Sequence, residues 1–253
     1  MNLREKFFNQ VQCETYNQFL NRIYSFEKPE FSFGRDWFEP SASAKSKVDC
    51  CGSFKHFIGD TTVFDLSDVD KYFIAKHYIE PLYNVAGDCL AEKFNINTLH
   101  MTLHDLNASD TNDYHVLQNM FYTEIDLANR ISENKINSQS INMKTTCVFN
   151  MVNTSLVLGL VPETENDYIK LMSLYNLVDS VQKLPYPLTP HITLAYYRYN
   201  GFYGEKLHEI ERVVNALNRE SFDITLSTDK LYYQKFINMN EFINIIPFVK
   251  GDK

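Results

Sequence analysis

Twice along this chain an extended, β-favouring run is followed by a helical stretch, a second extended run, a second helical stretch and a third extended run. That duplication restricts the possible folds more than any other feature. In the first copy the pattern predicts strands over 61–66, 97–104 and 141–152. Between them it predicts a helix from an N-cap at Ser67 or Asp68 to about 90, kinked at Pro81, and another over 110–133. In the second copy the strands fall at 155–161, 189–197 and 222–233, with helices over 163–181 and 205–219. A last apolar segment over 242–249 closes the chain. Two copies are too few for a solenoid. They predict an α+β fold of two pseudo-twofold lobes, with antiparallel-rich sheets facing a central cleft and helices outside.

Ahead of this framework, Leu3, Phe7, Val11, Phe19 and Ile23 recur at near-helical spacing and predict a helix over 3–26. Residues 27–53 carry Pro29, Gly34 and Pro40 and read as an irregular connection, long enough to pack on something or cover a site. The division expected is an extension over 1–54 and a main domain over 55–250, with lobe one at 55–152 and lobe two at 153–250.

The two copies share almost no side-chain identity apart from one tetrapeptide. Copy one has His100-Met101-Thr102-Leu103 and copy two has His191-Ile192-Thr193-Leu194, each on the second strand of its unit. A lone His-x-Thr means little; a matched pair in a duplicated frame means more. In a strand, residues two apart share a face. His100 and Thr102 therefore project together, as do His191 and Thr193, while Met101, Leu103, Ile192 and Leu194 bury behind them. The same parity adds His104 at the rim of the polar face, and Tyr197 and Tyr199 beyond the second motif. Related by a pseudo-twofold, the polar faces confront each other across a cleft.

Two opposed imidazoles suit attack on a phosphodiester. With ordinary pKa values near ~6.5, one ring can accept a proton while the other donates one. The threonine hydroxyls can hydrogen-bond the non-bridging oxygens and position the phosphorus for in-line displacement. No metal is required. The spacing His100-x-x-x-His104 suits zinc only on a helix, and no third ligand accompanies it.

At these residues the chain resembles the 2H phosphoesterase superfamily, over roughly residues 55–250. The resemblance implies a bilobal α+β fold, His100 and His191 as the acid/base pair, and Thr102 and Thr193 as phosphate-binding hydroxyls. It implies no cofactor. Ligase-like members of that superfamily place an arginine almost directly after the second motif. Here Ala195-Tyr196-Tyr197 intervenes and Arg198 is displaced. Tyr197, as a base-stacking ring, and Arg198, as a cation, are the expected substrate-binding residues. The expected function is a metal-independent phosphodiesterase acting on a nucleotide or RNA end: a 2′,3′-cyclic phosphate, a 2′-5′ linkage or a cyclic oligonucleotide. The alternative is a nucleotide- or RNA-end-binding module that keeps the cleft without turnover.

Charge and composition narrow the partners. With 24 Lys and Arg against 32 Asp and Glu the net charge is −8, which argues against binding extended duplex DNA. No run of residues is apolar enough to predict a membrane span. Five irregularly spaced cysteines do not form a disulfide framework, and the adjacent Cys50 and Cys51 read as ordinary thiols, so a cytoplasmic setting is expected.

Overall fold

The structure is a computed structural model and describes residues 14–27 and 36–250. Helix α1 (Tyr16–Tyr24) opens with a capping box in which Thr15 and Gln18 satisfy each other's backbone N–H groups. Leu3, Phe7 and Val11 of the expected helix lie outside the described residues. Phe19 and Ile23 bury completely, and α1 docks through them on Val161. The connection expected to be irregular holds strand β1 (Trp37–Phe38) and helix α2 (Ala42–Lys47), whose N-cap Ser41 accepts the Ala44 N–H.

The main body begins with β2 (Ile58–Asp65), followed by α3 (Asp68–Ile74), a π-helical turn over 75–79 and α4 (Glu80–Ala86). Pro81 lacks the N–H a continuing α-helix needs, and the wide turn just before it absorbs the break. Then come β3 (His100–Ser109), α5 (Tyr114–Asn134), β4 (Ser140–Met151), β5 (Ser155–Pro162), α6 (Glu165–Asp179) and β6 (His191–Tyr196). The chain finishes with β7 (Phe202–Tyr203), α7 (Gly204–Leu217), β8 (Asp223–Ser227), β9 (Leu231–Asn238) and β10 (Glu241–Pro247). The single strand expected over 222–233 is broken by a 3-10 turn at Thr228–Lys230 into β8 and the start of β9.

The α+β class and the antiparallel pairing are those expected. Eight strands form one sheet in the order β10-β9-β2-β3-β6-β5-β4-β8, and a separate two-stranded pair joins β1 to β7. Its two four-stranded halves meet at β3 and β6, where Met101 opposite Ile192 is the one registered pair. The halves are pseudo-symmetric: β2 and β3 correspond to β5 and β6, and β9 flanks β2 as β4 flanks β5. They are not the consecutive halves 55–152 and 153–250. Strand β4 leaves the first stretch of chain to pair with β5 and β8, and β9 returns from the far end to pair with β2. Alternation alone says which face of a strand is apolar and not which neighbour it takes, so the sequence pattern could not assign these partners.

Beneath the junction Met101, Leu103, Ile192 and Leu194 are fully buried, in one core with Leu82 and Ala86 of α4 and Leu207 and Ile210 of α7. Among the described residues no helix is long and apolar enough to cross a membrane. Phe19→Ala removes a wholly buried ring that also packs 5.2 Å from Tyr168. It should weaken the docking of α1 by about 3–5 kcal/mol. Hydrogen exchange checks this: the α1 amides should lose protection by that amount while those of β5 keep theirs.

Candidate active site

Both motifs begin their strands, with the histidine as the first residue of β3 and of β6. Because Met101 lies opposite Ile192 in an antiparallel pair, one step to either side sets His100 across from Thr193 and Thr102 across from His191. All four are half-buried on the same face, while Met101 and Ile192 are 0% exposed on the other. For such pairing, opposed side chains lie about 5 Å apart and diagonal ones about 7–8 Å. The two imidazoles occupy a diagonal, and all four side chains line one cavity of about 890 Å³.

The backbone orients the two rings identically. His100 Nδ1 lies 2.6 Å from the Thr98 carbonyl and His191 Nδ1 lies 2.7 Å from the Thr189 carbonyl. A carbonyl only accepts, so each Nδ1 carries the proton and each Nε2 is the nitrogen left for a substrate. The carbonyl one residue earlier is pinned by a cation in both copies. Lys71 Nζ donates to Asn97 at 3.0 Å, and Arg22 Nη2 donates to Leu188 at 2.9 Å. Each cation is held in turn by a carboxylate, Lys71 by Asp65 at 2.6 Å and Arg22 by Glu14 at 2.5 Å. Arg22 also reaches the Thr189 hydroxyl at 3.3 Å. Neither cation was legible as a site residue, because each acts on backbone that the fold alone brings near.

Burial is the largest influence on both imidazoles and pushes each below the ordinary histidine range. For His100 the Thr98 carbonyl, Asp65 and Asp105 oppose it, and the His191 ring adds to it. For His191 the Thr189 carbonyl and Asp105 oppose it, and Lys47 adds to it. Two neutral rings are therefore the resting form, and a bound anion would favour protonating one of them.

Each motif ends in a β-bulge, and this corrects two expectations at once. Thr102 pairs with Val63 but His104 with Thr62, so Leu103 is the extra residue of β3. Thr193 pairs with Val157 but Ala195 with Leu156, so Leu194 is the extra residue of β6. A bulge reverses which face later residues take. His104 thus turns inward, 1% exposed, with Nδ1 2.6 Å from the Asp105 carbonyl and Nε2 3.2 Å from Asp179. Asp105 takes its place on the cleft face and accepts a hydrogen bond from the Tyr186 hydroxyl at 3.1 Å. Tyr197 likewise goes into the core, 0% exposed and 4.4 Å from the Phe38 ring; Tyr196 lines the cavity instead. In β6 the consecutive apolar residues Leu194 and Ala195 were a visible sign of the bulge. In β3 the alternation of Thr102 and His104 concealed it.

Arg198 is not in the cavity either. Its Nε donates to the Leu90 carbonyl at 3.2 Å, and its side chain lies against Gly52, whose φ of +93° and closeness to the guanidinium leave no room for a Cβ. Among the described residues the cations lining the cavity are Arg22 and Lys47, both from the segment before residue 55. That segment therefore contributes to the site. Among the described residues no three His, Cys, Asp or Glu side chains are grouped as a metal site.

The fold is shared with a conserved protein of unknown function from Agrobacterium tumefaciens, at a TM-score of 0.62 and 17% identity over 83% of this chain and 94% of that one. LigT of E. coli aligns at a TM-score of 0.42 and 14% identity, over 76% of this chain and 96% of LigT. Usb1 of Kluyveromyces marxianus aligns at 0.40 and 10%, over 76% of this chain and 99% of Usb1. No family model matches the sequence, and no curated protein matches it. The likeness to the Agrobacterium protein shows the fold alone, and at 17% identity it says nothing of the reaction.

Proposed function

We propose that the chain is a 2H-type phosphodiesterase that needs no metal ion and cleaves a phosphodiester of a nucleotide or an RNA end. The observation that carries this reading is the matched contact of His100 Nδ1 and His191 Nδ1, each with a backbone carbonyl two residues earlier, in two rings that line one cavity and keep Nε2 for a substrate. A site that only bound an anion would need hydroxyls and cations; it would not need two imidazoles poised to exchange protons. The free thiols of Cys50, Cys51, Cys89 and Cys147 go with a reducing, intracellular setting.

On a 2′,3′-cyclic phosphate the proposed step is hydrolytic. Water attacks phosphorus, and its proton passes to the neutral imidazole at Nε2. The bond from phosphorus to one ribose oxygen breaks, and that oxygen takes the proton held on Nε2 of the other, charged imidazole. Thr102 and Thr193, each across from the opposite motif's histidine, donate to the non-bridging oxygens as charge gathers there. The product is a ribose monophosphate beside a free hydroxyl, with the two histidines having exchanged roles.

The test is a screen of 2′,3′-cyclic mononucleotides, 2′-5′ dinucleotides and cyclic dinucleotides with EDTA present. Turnover of at least one substrate, unchanged by the chelator, is the expected result. Activity lost to EDTA and restored by Zn²⁺ or Mn²⁺ would replace this reading with a metal-dependent one. Tight nucleotide binding with no turnover of any substrate would leave a binding module.

A further inference from the structure

Among the described residues, one cation lining the cavity has no part in the chemistry above. Lys47, the last residue of α2, lines the cavity, and its ammonium sits 5.2 Å from the centroid of Phe57 and 5.3 Å from that of Tyr196. The other cavity cation, Arg22, is committed to Glu14 and to the Leu188 carbonyl. Lys45, two residues earlier, is committed to Glu39. Among the described residues no ion pair involves Lys47. Two aromatic faces hold an ammonium in place through their negative quadrupoles without consuming its N–H donors. The result is a positioned positive charge with donors to spare, facing a cavity.

Its location says which part of a ligand it meets. Beyond Thr193 the bulge makes Tyr196 the next residue to face the cleft. At ~3.3 Å per residue the Tyr196 ring rises roughly 7–10 Å along β6 from the threonine hydroxyl. The ammonium packs against that ring, on the stretch of cavity wall beyond Thr193. Its charge still reaches His191, whose protonation it opposes. A second anionic group bound there would cancel that opposition.

We propose that Lys47 is the binding residue for a second phosphate, so that the preferred substrate carries a phosphate beyond the ester being cleaved: a 5′-phosphorylated nucleotide or an oligonucleotide end in preference to a bare nucleoside cyclic phosphate. This rests on the phosphodiesterase reading for the place of the first phosphate, yet it is tested by binding alone. Calorimetric titration of adenosine 3′-monophosphate and adenosine 3′,5′-bisphosphate compares ligands that differ by that one phosphate. For the parent protein the bisphosphate should bind about 10–100-fold more tightly, the range of a charge-assisted contact. In Lys47→Met the ratio should fall close to one. In Lys45→Met, whose ammonium pairs with Glu39 outside the cavity, the ratio should persist. Thermal unfolding of each variant confirms that the fold is intact. A ratio near one in the parent, a ratio that survives Lys47→Met, or no binding of either nucleotide overturns the proposal. Should the Lys47-dependent ratio be found in a protein that hydrolyses no phosphodiester, the catalytic reading fails and this one stands.

Discussion

Replacing His100 or His191 by alanine should lower kcat by about 10²–10⁴-fold in each case, the usual contribution of a general acid or base. Ligand affinity should change far less, because the hydroxyls of Thr102 and Thr193 and the cavity cations remain. The pH dependence carries a sign. Burial favours the neutral imidazole in both histidines, so the charged, acid form is the scarce one in the free protein. The bell in log(kcat/KM), which reports free protein, should therefore centre on the acid side of about 6.5. Bound phosphate stabilises the imidazolium, so the bell in log kcat should lie at higher pH than the bell in log(kcat/KM). The limbs belong to the pair until His100→Ala removes one and His191→Ala the other. Bells that coincide, or that centre well above 7, would contradict the buried environment seen for both rings.

Arg22→Met and Lys71→Met should each lower kcat by about 10–100-fold, although neither side chain has a place on the phosphate in the proposed reaction. Both are positioning residues. Each holds the carbonyl of the residue three before a histidine, and the next carbonyl along is the one that fixes that histidine's tautomer. Releasing either segment lets Nε2 drift, and a displacement of about 1 Å can cost 10²-fold. A kcat loss with KM nearly constant is the pattern expected, together with persistence of both limbs of the pH profile. A KM rise with kcat unchanged would show instead that Arg22 meets substrate directly. The two variants should behave alike, because the clamps occupy equivalent places in the two copies.

How far the sequence revealed this site depends on which interaction placed each residue. His100, Thr102, His191 and Thr193 were legible because strand parity is local and the motif occurs twice. Parity failed two residues later at His104 and four residues later at Tyr197, because a bulge is decided by the neighbouring strand, and Leu103 and Leu194 are ordinary residues for either geometry. Arg198 was sought as the cation because it is near the motif in sequence. Lys47 and Arg22, some 140 to 170 residues earlier in the chain, supply the charge through a docking made of long-range contacts, among them the burial of Phe19 and Ile23, the β1–β7 pair and the aromatic faces around Lys47. The strand pattern gave the α+β class and nearly every element, yet β4 and β9 changed halves, since pairing partners depend on three-dimensional closure and not on periodicity.

The exchange of β4 and β9 between halves bears on how the chain acquires its structure during synthesis. Strand β2 is complete by residue 65, but one of its two edges stays open until β9 pairs Gly59 with Phe236. The half carrying His191 has all its strands by residue 227, whereas the half carrying His100 waits for the last hairpin. A nascent chain therefore exposes an unpaired β2 edge for most of its time on the ribosome, a state prone to wrong pairing. Closing so long a loop is slow, as for any topology rich in distant contacts. Chains truncated before residue 231 should accordingly aggregate when newly made, even though both His-x-Thr motifs have already been translated.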